Sequence, residues 1–288
     1  MPKLVSVFII ITLSITSSLA SAQSVDAGRG EIPLTVPSSY SRDSAWPLIV
    51  LLHTYGRTGA TQEEYMGIAE LADSYGFIMV APDGTPSSAN NNPLFWNASS
   101  ACCNFDGREL DDSAYLANLI DEVKSGYRVD PKRVYIIGHS NGAFMAHRMA
   151  HDHPAGIAAI ASLAGADQSI ERPTPSNPVH VLQIHGDADT VIAYDGGEIN
   201  GVEYPSAKQS VERWAERNGC ATTGIDSARL DLDRSVTGME STVTRYTTGC
   251  KPGGSTELWT IGGGAHIPEL SQHFTKLVVE WLLAHPKP

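Results

Sequence analysis

The sequence predicts an α/β fold in which a mostly parallel central sheet carries helices on both faces. Three observations lead to this prediction. Short apolar, β-branched segments alternate with amphipathic helical segments along the chain. One strand segment runs directly into a helix through Gly138-His-Ser-Asn-Gly142. Polar residues with catalytic potential follow the ends of later strands, which is where sheets of this kind bind their ligands.

Seven segments have the length and composition of buried strands, and five have helical periodicity. The predicted strands are 32–36, 48–53, 77–81, 133–138, 157–163, 179–185 and 257–261. The predicted helices are 61–75, 112–127, 140–151, 207–218 and 269–284. Because no repeat, low-complexity tract or linker divides the chain, we expect residues 23–288 to form a single catalytic domain. The connection between strands 157–163 and 179–185 is short, so we expect no large cap domain.

The first 22 residues have the features of a secretory signal peptide. A start of Met-Pro-Lys is followed by an apolar stretch over 4–19 and by the small-residue site Ala20-Ser-Ala22. The apolar stretch is short and contains Ser and Thr, which disfavours a membrane anchor. We therefore expect cleavage after Ala22 and a secreted protein, extracellular or periplasmic.

The charge balance limits the partners. The formal net charge is −12 at pH 7, and the chain has no basic run. An acidic surface argues against nucleic acid and against anionic membranes as partners. The composition leaves the oligomeric state open.

Cysteine usage agrees with export, since all four cysteines lie beyond the signal segment. Cys220 follows a predicted helix and Cys250 precedes a predicted strand, and a disulfide between them would stabilise the fold by about 3–4 kcal/mol. The adjacent Cys102 and Cys103 could bond to each other or remain thiols. No second C-x-x-C or matching His pair accompanies them, so we predict no metal there. His147 and His151 are spaced as a metal pair but lack a third strong ligand.

A serine between two glycines, where a strand turns into a helix, is typical of the nucleophile elbow of α/β-hydrolases. The turn forces Ser140 into a strained conformation, and small residues at 138 and 142 keep strand and helix from clashing. We predict Ser140 as a nucleophile. The alternative is a helix N-cap whose hydroxyl only accepts a backbone N–H.

A serine nucleophile needs a base, and the base needs an acid to orient it. In this fold they follow in the order Ser, Asp or Glu, His. His266, on a glycine-rich loop after the last strand, is the predicted base; the alternative is an exposed loop histidine. Asp187 and Asp189 both follow strand 179–185, and the residues alone leave the choice of acid open, the other carboxylate organising the turn. We expect His185 to pack or hydrogen-bond beneath the site.

The tetrahedral intermediate also needs two backbone donors. One is expected from Asn141, the residue after the nucleophile. The other is expected from the loop after strand 48–53, where Thr54 or Tyr55 would supply the N–H. An ordinary strand-to-helix turn is the alternative for this loop.

Four segments together resemble the secreted polyhydroxybutyrate depolymerase and feruloyl esterase family, the esterase D-like branch of the α/β-hydrolases. They are Gly138-His-Ser-Asn-Gly142, His185-Gly-Asp-Ala-Asp189, Gly262-Gly-Gly-Ala-His266 and Asn97-Ala-Ser-Ser-Ala-Cys-Cys-Asn104. The resemblance implies Ser140 as nucleophile, His266 as base, Asp189 as acid and no cofactor. The chain departs from the family at Thr54, where most relatives have glycine, and at Ala143, where relatives often have a second glycine.

The long loop 82–110 carries aromatic residues that could form one wall of the substrate pocket. We predict substrate contacts from Phe95 and Trp96 on this loop and from Tyr194 and His139 elsewhere. The alternative is that the loop aromatics only fix the loop to the body of the protein.

These features predict a secreted serine carboxylic-ester hydrolase that works through an acyl-enzyme, of polyhydroxybutyrate oligomer depolymerase type. A feruloyl or acetylxylan esterase acting on plant cell-wall esters is the alternative. A serine exopeptidase and a non-catalytic binding protein on the same fold are less favoured. The expected partner is a small or oligomeric ester. Since we expect no separate polymer-binding domain after His266, soluble or short-chain esters are favoured over crystalline polymer.

Overall fold

A ten-stranded mixed sheet forms the centre of the computed structural model, which describes residues 23–168, 170 and 172–288. The predicted signal peptide, 1–22, lies outside the described residues. The strands are β1 (Ser24–Asp26), β2 (Glu31–Thr35), β3 (Trp46–Leu52), β4 (Ile78–Val80), β5 (Thr85–Pro86), β6 (Leu94–Phe95), β7 (Val129–His139), β8 (Ala159–Leu163), β9 (His180–Gly186), β10 (Gly197–Ile199), β11 (Val202–Tyr204), β12 (Ile225–Leu230), β13 (Ser241–Tyr246) and β14 (Thr256–Ile261).

The order across the sheet is β1-β2-β4-β3-β7-β8-β9-β14-β13-β12. The six strands from β4 to β14 run parallel, and an antiparallel pair extends the sheet at each edge. The two short pairs β5–β6 and β10–β11 lie outside this sheet. The prediction of a mostly parallel α/β sheet is confirmed.

The helices are α1 (Gly59–Met66), α2 (Ala72–Tyr75), α3 (Asp112–Gly126), α4 (Asn141–Asp152), α5 (Ala207–Arg217) and α6 (Phe274–Leu283). The predicted helix 61–75 is interrupted, because Gly67 ends α1 in a left-handed conformation with φ 62°. The last helix begins at Phe274 and not at 269, because Leu270 forms a β-bridge with Asp233 and residues 272–273 form a turn before the helix.

Both faces of the sheet are buried, which explains the continuous apolar strands. On β3, Leu48 and Val50 pack in one core layer with residues of α3, α4 and α5. Ile49 and Leu51 pack in the opposite layer with residues of α1, α2 and α6. All four side chains are fully buried, and each such burial contributes about 1.5–3 kcal/mol.

Three strands of the central sheet, β1, β12 and β13, and the two short pairs outside it are absent from the prediction. Five of the six residues of β12 are exposed, so its side chains carry little apolar pattern. The structure joins Cys220 to Cys250, which ties the end of α5 to the segment before β14. Cys102 and Cys103 are bonded to each other.

The connection between β8 and β9 carries no helix or strand among its described residues, in agreement with the prediction that the fold has no large cap. Within the described ranges, no helix is long and apolar enough to cross a membrane.

Candidate active site

Ser140 lies between the end of β7 and the start of α4 with φ 54° and ψ −117°. The strand ends at His139 and the helix begins at Asn141, so this one residue reverses the chain. A positive φ at a non-glycine residue costs about 1–3 kcal/mol and persists only where the surroundings impose it. The hydroxyl makes no hydrogen bond to the helix amides, which argues against the N-cap alternative.

The glycines at 138 and 142 allow the close crossing of strand and helix. A Cβ on Gly138 would collide with the carbonyl of Gly142, and a Cβ on Gly142 would collide with the carbonyl of Leu52. These obstacles are backbone atoms, which cannot turn away as a side chain could. The crossing therefore imposes the strained conformation of Ser140.

The structure brings Ser140, His266 and Asp189 into one hydrogen-bonded row. The Ser140 hydroxyl donates to His266 Nε2 at 2.9 Å, and His266 Nδ1 donates to Asp189 Oδ2 at 2.8 Å. Ser140 and Asp189 are buried, 7% and 6% exposed, while His266 is partly exposed. The row extends from a buried carboxylate toward the surface.

Asp189 uses its two carboxylate oxygens for different tasks. Oδ1 accepts the backbone N–H groups of Val191 and Ile192 at 2.8 and 2.9 Å, which closes the turn after β9. Oδ2 lies 2.8 Å from His266 Nδ1 and 3.3 Å from His185 Nε2. Burial by itself would raise the pKa of Asp189, but the hydrogen bonds from His185 and His266 outweigh it and hold the pKa well below its usual range.

Asp187 points away from this row and joins the loop after β9 to the loop after β14. Its Oδ1 accepts the N–H of Gly263 at 2.6 Å, and the N–H of Ala188 donates to the carbonyl of Gly264 at 3.1 Å. Gly186 lies so close to the Gly264 carbonyl that a Cβ would collide with it. The loop with Asp189 and the loop with His266 are therefore held together as one unit.

His139 is 1% exposed and supports the loop of His266 from below. Its Nε2 donates to the carbonyl of His266 at 2.9 Å, and its ring stacks on Tyr65 at 5.5 Å between centroids. Burial lowers the pKa of His139 to about 4, which keeps the ring neutral. The predicted substrate contact from His139 stays a prediction: the ring also lines a cavity of about 260 Å³ together with Thr54, Tyr65 and Ile267.

Two of the three backbone amides predicted for the oxyanion site have no hydrogen-bond acceptor among the described residues. The Asn141 amide is the first of α4, so it has no acceptor within the helix. The Thr54 amide donates to Gln62 Oε1 at 3.3 Å. The Tyr55 amide makes no hydrogen bond to the part of the chain that the structure describes.

Comparisons with known proteins identify the family of this chain. The phospholipase/carboxylesterase family of α/β-hydrolases matches residues 39–204, more than half of the chain. This chain belongs to that family. The resemblance to feruloyl esterases and polyhydroxyalkanoate depolymerases is confirmed as well, since both are among its relatives.

Three curated proteins show how similar this chain is to other esterases and depolymerases. The putative esterase NocK of Nocardia uniformis subsp. tsuyamanensis is 29% identical over 76% of this chain and 64% of its own length. Feruloyl esterase B of Piromyces equi is 28% identical over 80% and 41%. Poly(3-hydroxyalkanoate) depolymerase C of Paucimonas lemoignei is 31% identical over 45% and 30%. The chain thus spans less than two thirds of the length of these curated relatives.

A solved structure shares the fold over nearly its whole length. The acetyl xylan esterase from Aspergillus awamori superposes with a TM-score of 0.63 at 20% identity, over 91% of this chain and 98% of its own. At that identity the likeness establishes the α/β-hydrolase fold.

The prediction that Phe95 and Trp96 line the pocket of this family member is wrong. Their side chains are 1% and 0% exposed, so they face the interior. The Trp96 indole N–H donates to the carbonyl of His53 at 3.1 Å. The alternative, that these aromatics fix the long loop to the body of the protein, describes them correctly. The exposed aromatic of this loop is Phe105, 48% exposed, whose ring lies 5.5 Å from that of Tyr55.

The side chain of Asn141 holds the same loop, a role that the sequence analysis missed. The Trp96 N–H donates to Asn141 Oδ1 at 2.7 Å, and Asn141 Nδ2 donates to the Trp96 carbonyl at 2.9 Å. The same Nδ2 lies 3.5 Å from the Sγ of Cys102. One residue thus presents its backbone amide beside Ser140 and fastens the loop with its side chain.

The other residues singled out in the sequence are hydrogen-bonded to neighbouring side chains. The Tyr194 hydroxyl shares a hydrogen bond of 2.7 Å with Thr260, and its ring meets His185 edge-on at 5.7 Å, so its substrate contact stays a prediction. His147 and His151 are hydrogen-bonded to Gln183 and Asp167. Across the described ranges no group of three or more His, Cys, Asp or Glu side chains is arranged to hold a metal ion.

Proposed function

We propose that this chain is a serine carboxylic-ester hydrolase that works through an acyl-enzyme. The hydrogen-bonded row of Ser140, His266 and Asp189, with distances of 2.9 and 2.8 Å, carries the proposal. It has the donor and acceptor order that a nucleophile, a base and an orienting acid require. The relatives named as feruloyl and acetylxylan esterases support an ester as the substrate.

In the first half of the reaction, His266 Nε2 takes the proton of the Ser140 hydroxyl as Oγ attacks the ester carbonyl carbon. The carbonyl oxygen becomes an oxyanion, which accepts hydrogen bonds from two backbone amides. We assign these to Asn141 and Tyr55, because the Thr54 amide is already bonded to Gln62. The intermediate then collapses, the bond to the alcohol oxygen breaks, and His266 returns its proton to the departing alcohol.

In the second half, water attacks the acyl-enzyme while His266 takes its proton. A second tetrahedral intermediate releases the carboxylic acid, and the proton returns to Ser140 Oγ. Throughout, Asp189 holds His266 in the tautomer with hydrogen on Nδ1 and stabilises the imidazolium that forms twice in each cycle. Its low pKa keeps it charged over the whole neutral range.

For the substrate, we propose esters of plant cell-wall type, feruloyl or acetyl, ahead of hydroxybutyrate oligomers. This order follows from the share of this chain that aligns with each relative. Feruloyl esterase B of Piromyces equi aligns with 80% of the chain, and the depolymerase of Paucimonas lemoignei aligns with 45%. This reverses the order that the sequence alone suggested. Exposed apolar side chains beside the catalytic row, Val191 and Ile267, suit an open site for either class. We also propose that the protein is exported.

Hydrolysis of p-nitrophenyl butyrate tests the reaction class. We expect Ser140→Ala to abolish it, while Ser162→Ala, a buried serine on the neighbouring strand β8, retains it. Esterase activity that persists in Ser140→Ala would refute the assignment. Parallel assays with methyl ferulate, acetylated xylan and 3-hydroxybutyrate oligomers then rank the substrates, and a clear preference for the oligomers would overturn the order proposed here.

A further inference from the structure

A line of buried hydrogen bonds leads from the helix α5 to Asp189. The Trp214 indole nitrogen lies 2.9 Å from His147 Nδ1, and His147 Nε2 lies 3.1 Å from Gln183 Oε1. Gln183 Nε2 lies 3.2 Å from His185 Nδ1, and His185 Nε2 lies 3.3 Å from Asp189 Oδ2. Each of these side chains is buried, with Trp214, His147 and Gln183 fully inaccessible.

The indole N–H determines the direction of every bond in this line, because it can only donate. His147 Nδ1 must therefore accept, which places the hydrogen of that ring on Nε2. Gln183 receives this hydrogen on Oε1 and presents its NH₂ group to His185 Nδ1. The carbonyl of Gly165, 2.8 Å from Gln183 Nε2, requires the same orientation of the amide.

With Nδ1 accepting, neutral His185 carries its hydrogen on Nε2. That hydrogen points at two acceptors, the carbonyl of Ile192 at 2.8 Å and Asp189 Oδ2 at 3.3 Å. A proton on His185 Nδ1 would collide with the NH₂ of Gln183. The amide thereby disfavours the imidazolium form of His185, which would otherwise pair with Asp189 and compete with His266 for its charge.

The charged groups near this line lie at its two ends. Asp189 is at one end. At the other, Asp167 Oδ1 lies 4.0 Å from His147 Nδ1 and 2.9 Å from His151 Nε2, and Asp167 Oδ2 accepts from Arg217 at 2.6 Å. The ring of Tyr194 faces His185 edge-on, and His139 lies near enough to His185 to interact with it electrostatically. Gln183 is therefore the neutral element between two buried carboxylates.

We propose that Gln183 is a positioning residue for the hydrolase, which fixes the neutral Nε2–H form of His185 so that Asp189 directs its charge to His266. The proposal rests on the function proposed above for Ser140, His266 and Asp189. A core amide that merely satisfies its neighbours would influence stability but not the protonation behaviour of the catalytic row.

The tautomers can be measured without any activity. In a ¹⁵N–¹H correlation spectrum of histidine side chains at neutral pH, we expect His147 and His185 with hydrogen on Nε2, and His266 with hydrogen on Nδ1. The Nδ1–H or doubly protonated form at His185 would overturn the proposal. This result is independent of whether the protein hydrolyses esters, so it separates a failure of the proposal from a failure of the proposed function.

Two substitutions should move the pH dependence of kcat/KM in opposite directions. In Gln183→Glu the new carboxylate accepts from His185 Nδ1, so His185 becomes charged and neutralises part of Asp189. The acidic limb of the profile should then move about one pH unit lower, and kcat should fall about tenfold, well short of the roughly 10⁴-fold that loss of an acid costs. In His185→Phe the donor disappears, so Asp189 bonds to His266 alone and the acidic limb should move upward.

Ser162→Ala is the matched control, because Ser162 is the buried register partner of Gln183 on β8 and its hydroxyl has no partner among the described residues. We expect an unchanged profile. If Gln183→Glu unfolds, His185→Phe and the wild-type spectrum still decide the question. The positioning role would be refuted if the folded variants had the same acidic limb as the wild type. Their KM and kcat would then both lie within twofold of the wild-type values.

Discussion

The two sides of Ser140 are held in place by different forces. On one side, the loops after β9 and β14 are fixed by polar side chains, with Asp189, Asp187 and His139 each bonded to a named donor or acceptor. On the other side, the loop 82–110 is fixed by buried aromatic rings and by the main-chain bonds of Trp96 to Asn141.

We therefore expect substitutions on the two sides of Ser140 to have different effects, on catalysis on one side and on stability on the other. Polar side chains on the acid–base side are bound to one another in fixed directions, so replacing one alters protonation before it alters folding. The loop 82–110 is held by buried aromatic rings. Replacing one of its contacts leaves backbone groups without hydrogen-bond partners, so it lowers the free energy of unfolding before it affects catalysis. Four substitutions or conditions test this division, from the largest expected effect to the smallest.

Asp189→Asn should have the largest effect. The amide cannot hold His266 with hydrogen on Nδ1, so we expect kcat to fall about 10⁴-fold with little change in the melting temperature. Asp187→Asn is the matched control, since Asp187 contacts Gly263 and not His266. Steady-state kinetics of both variants measure the difference, and a larger loss in Asp187→Asn would identify Asp187 as the acid.

Asn141→Leu should act on the opposite side. It leaves the buried N–H and carbonyl of Trp96 without partners, at a cost of about 1–3 kcal/mol for each group. The backbone amide at 141 remains, so kcat of the folded fraction should change much less than in Asp189→Asn. Urea unfolding measures the stability. A stability equal to that of the wild type would show that this side chain does not hold the loop.

Acid should destabilise the fold through two buried histidines, His139 beneath the loop of His266 and His147 on α4. Burial lowers the pKa of both His139 and His147 to about 4. Their neutral forms are required for folding, so this stability is complete above about pH 6.5 and is lost as pH falls toward 4, on the order of 3 kcal/mol for each group. Thermal unfolding between pH 7 and pH 4 measures the loss.

The control for this experiment is His273→Gln, because His273 is exposed and its loss should leave the pH dependence unchanged. His139→Gln should reduce the dependence. A melting temperature constant between pH 6.5 and pH 4 would contradict the prediction.

Phe105→Ala should have the smallest effect. Its ring is 48% exposed, so stability should change by less than about 1 kcal/mol. Because Phe105 packs on Tyr55 beside the site, we expect KM for aryl esters to rise severalfold while acetyl esters are unaffected. An equal change in KM for both ester classes would remove Phe105 from the substrate site.

The sequence predicts the acid–base side well because its chemistry needs particular residue types at strand ends. The fold's connectivity predicts Ser140 and His266 and leaves Asp187 and Asp189 as alternatives, between which the family resemblance chooses Asp189, and the glycines around Ser140 are required by backbone contact. The loop 82–110 is less predictable, since aromatic residues can face a pocket or the core, and only packing decides. The role proposed for Gln183 has no local pattern in the sequence, because its partner His147 lies on α4 and Trp214, which donates to His147, lies on α5.

The tight contact between Gly186 and Gly264 has a consequence for engineering. Because the acid and base loops touch through backbone atoms and share the Asp187 bond, a library that randomises either loop core would mostly yield inactive clones. Diversity is better placed at exposed apolar side chains, Phe105 and Met239 on other loops and Val191 and Ile267 at the surface of the two loops. Such libraries would vary substrate preference while the hydrogen-bonded row of Ser140, His266 and Asp189 stays unchanged.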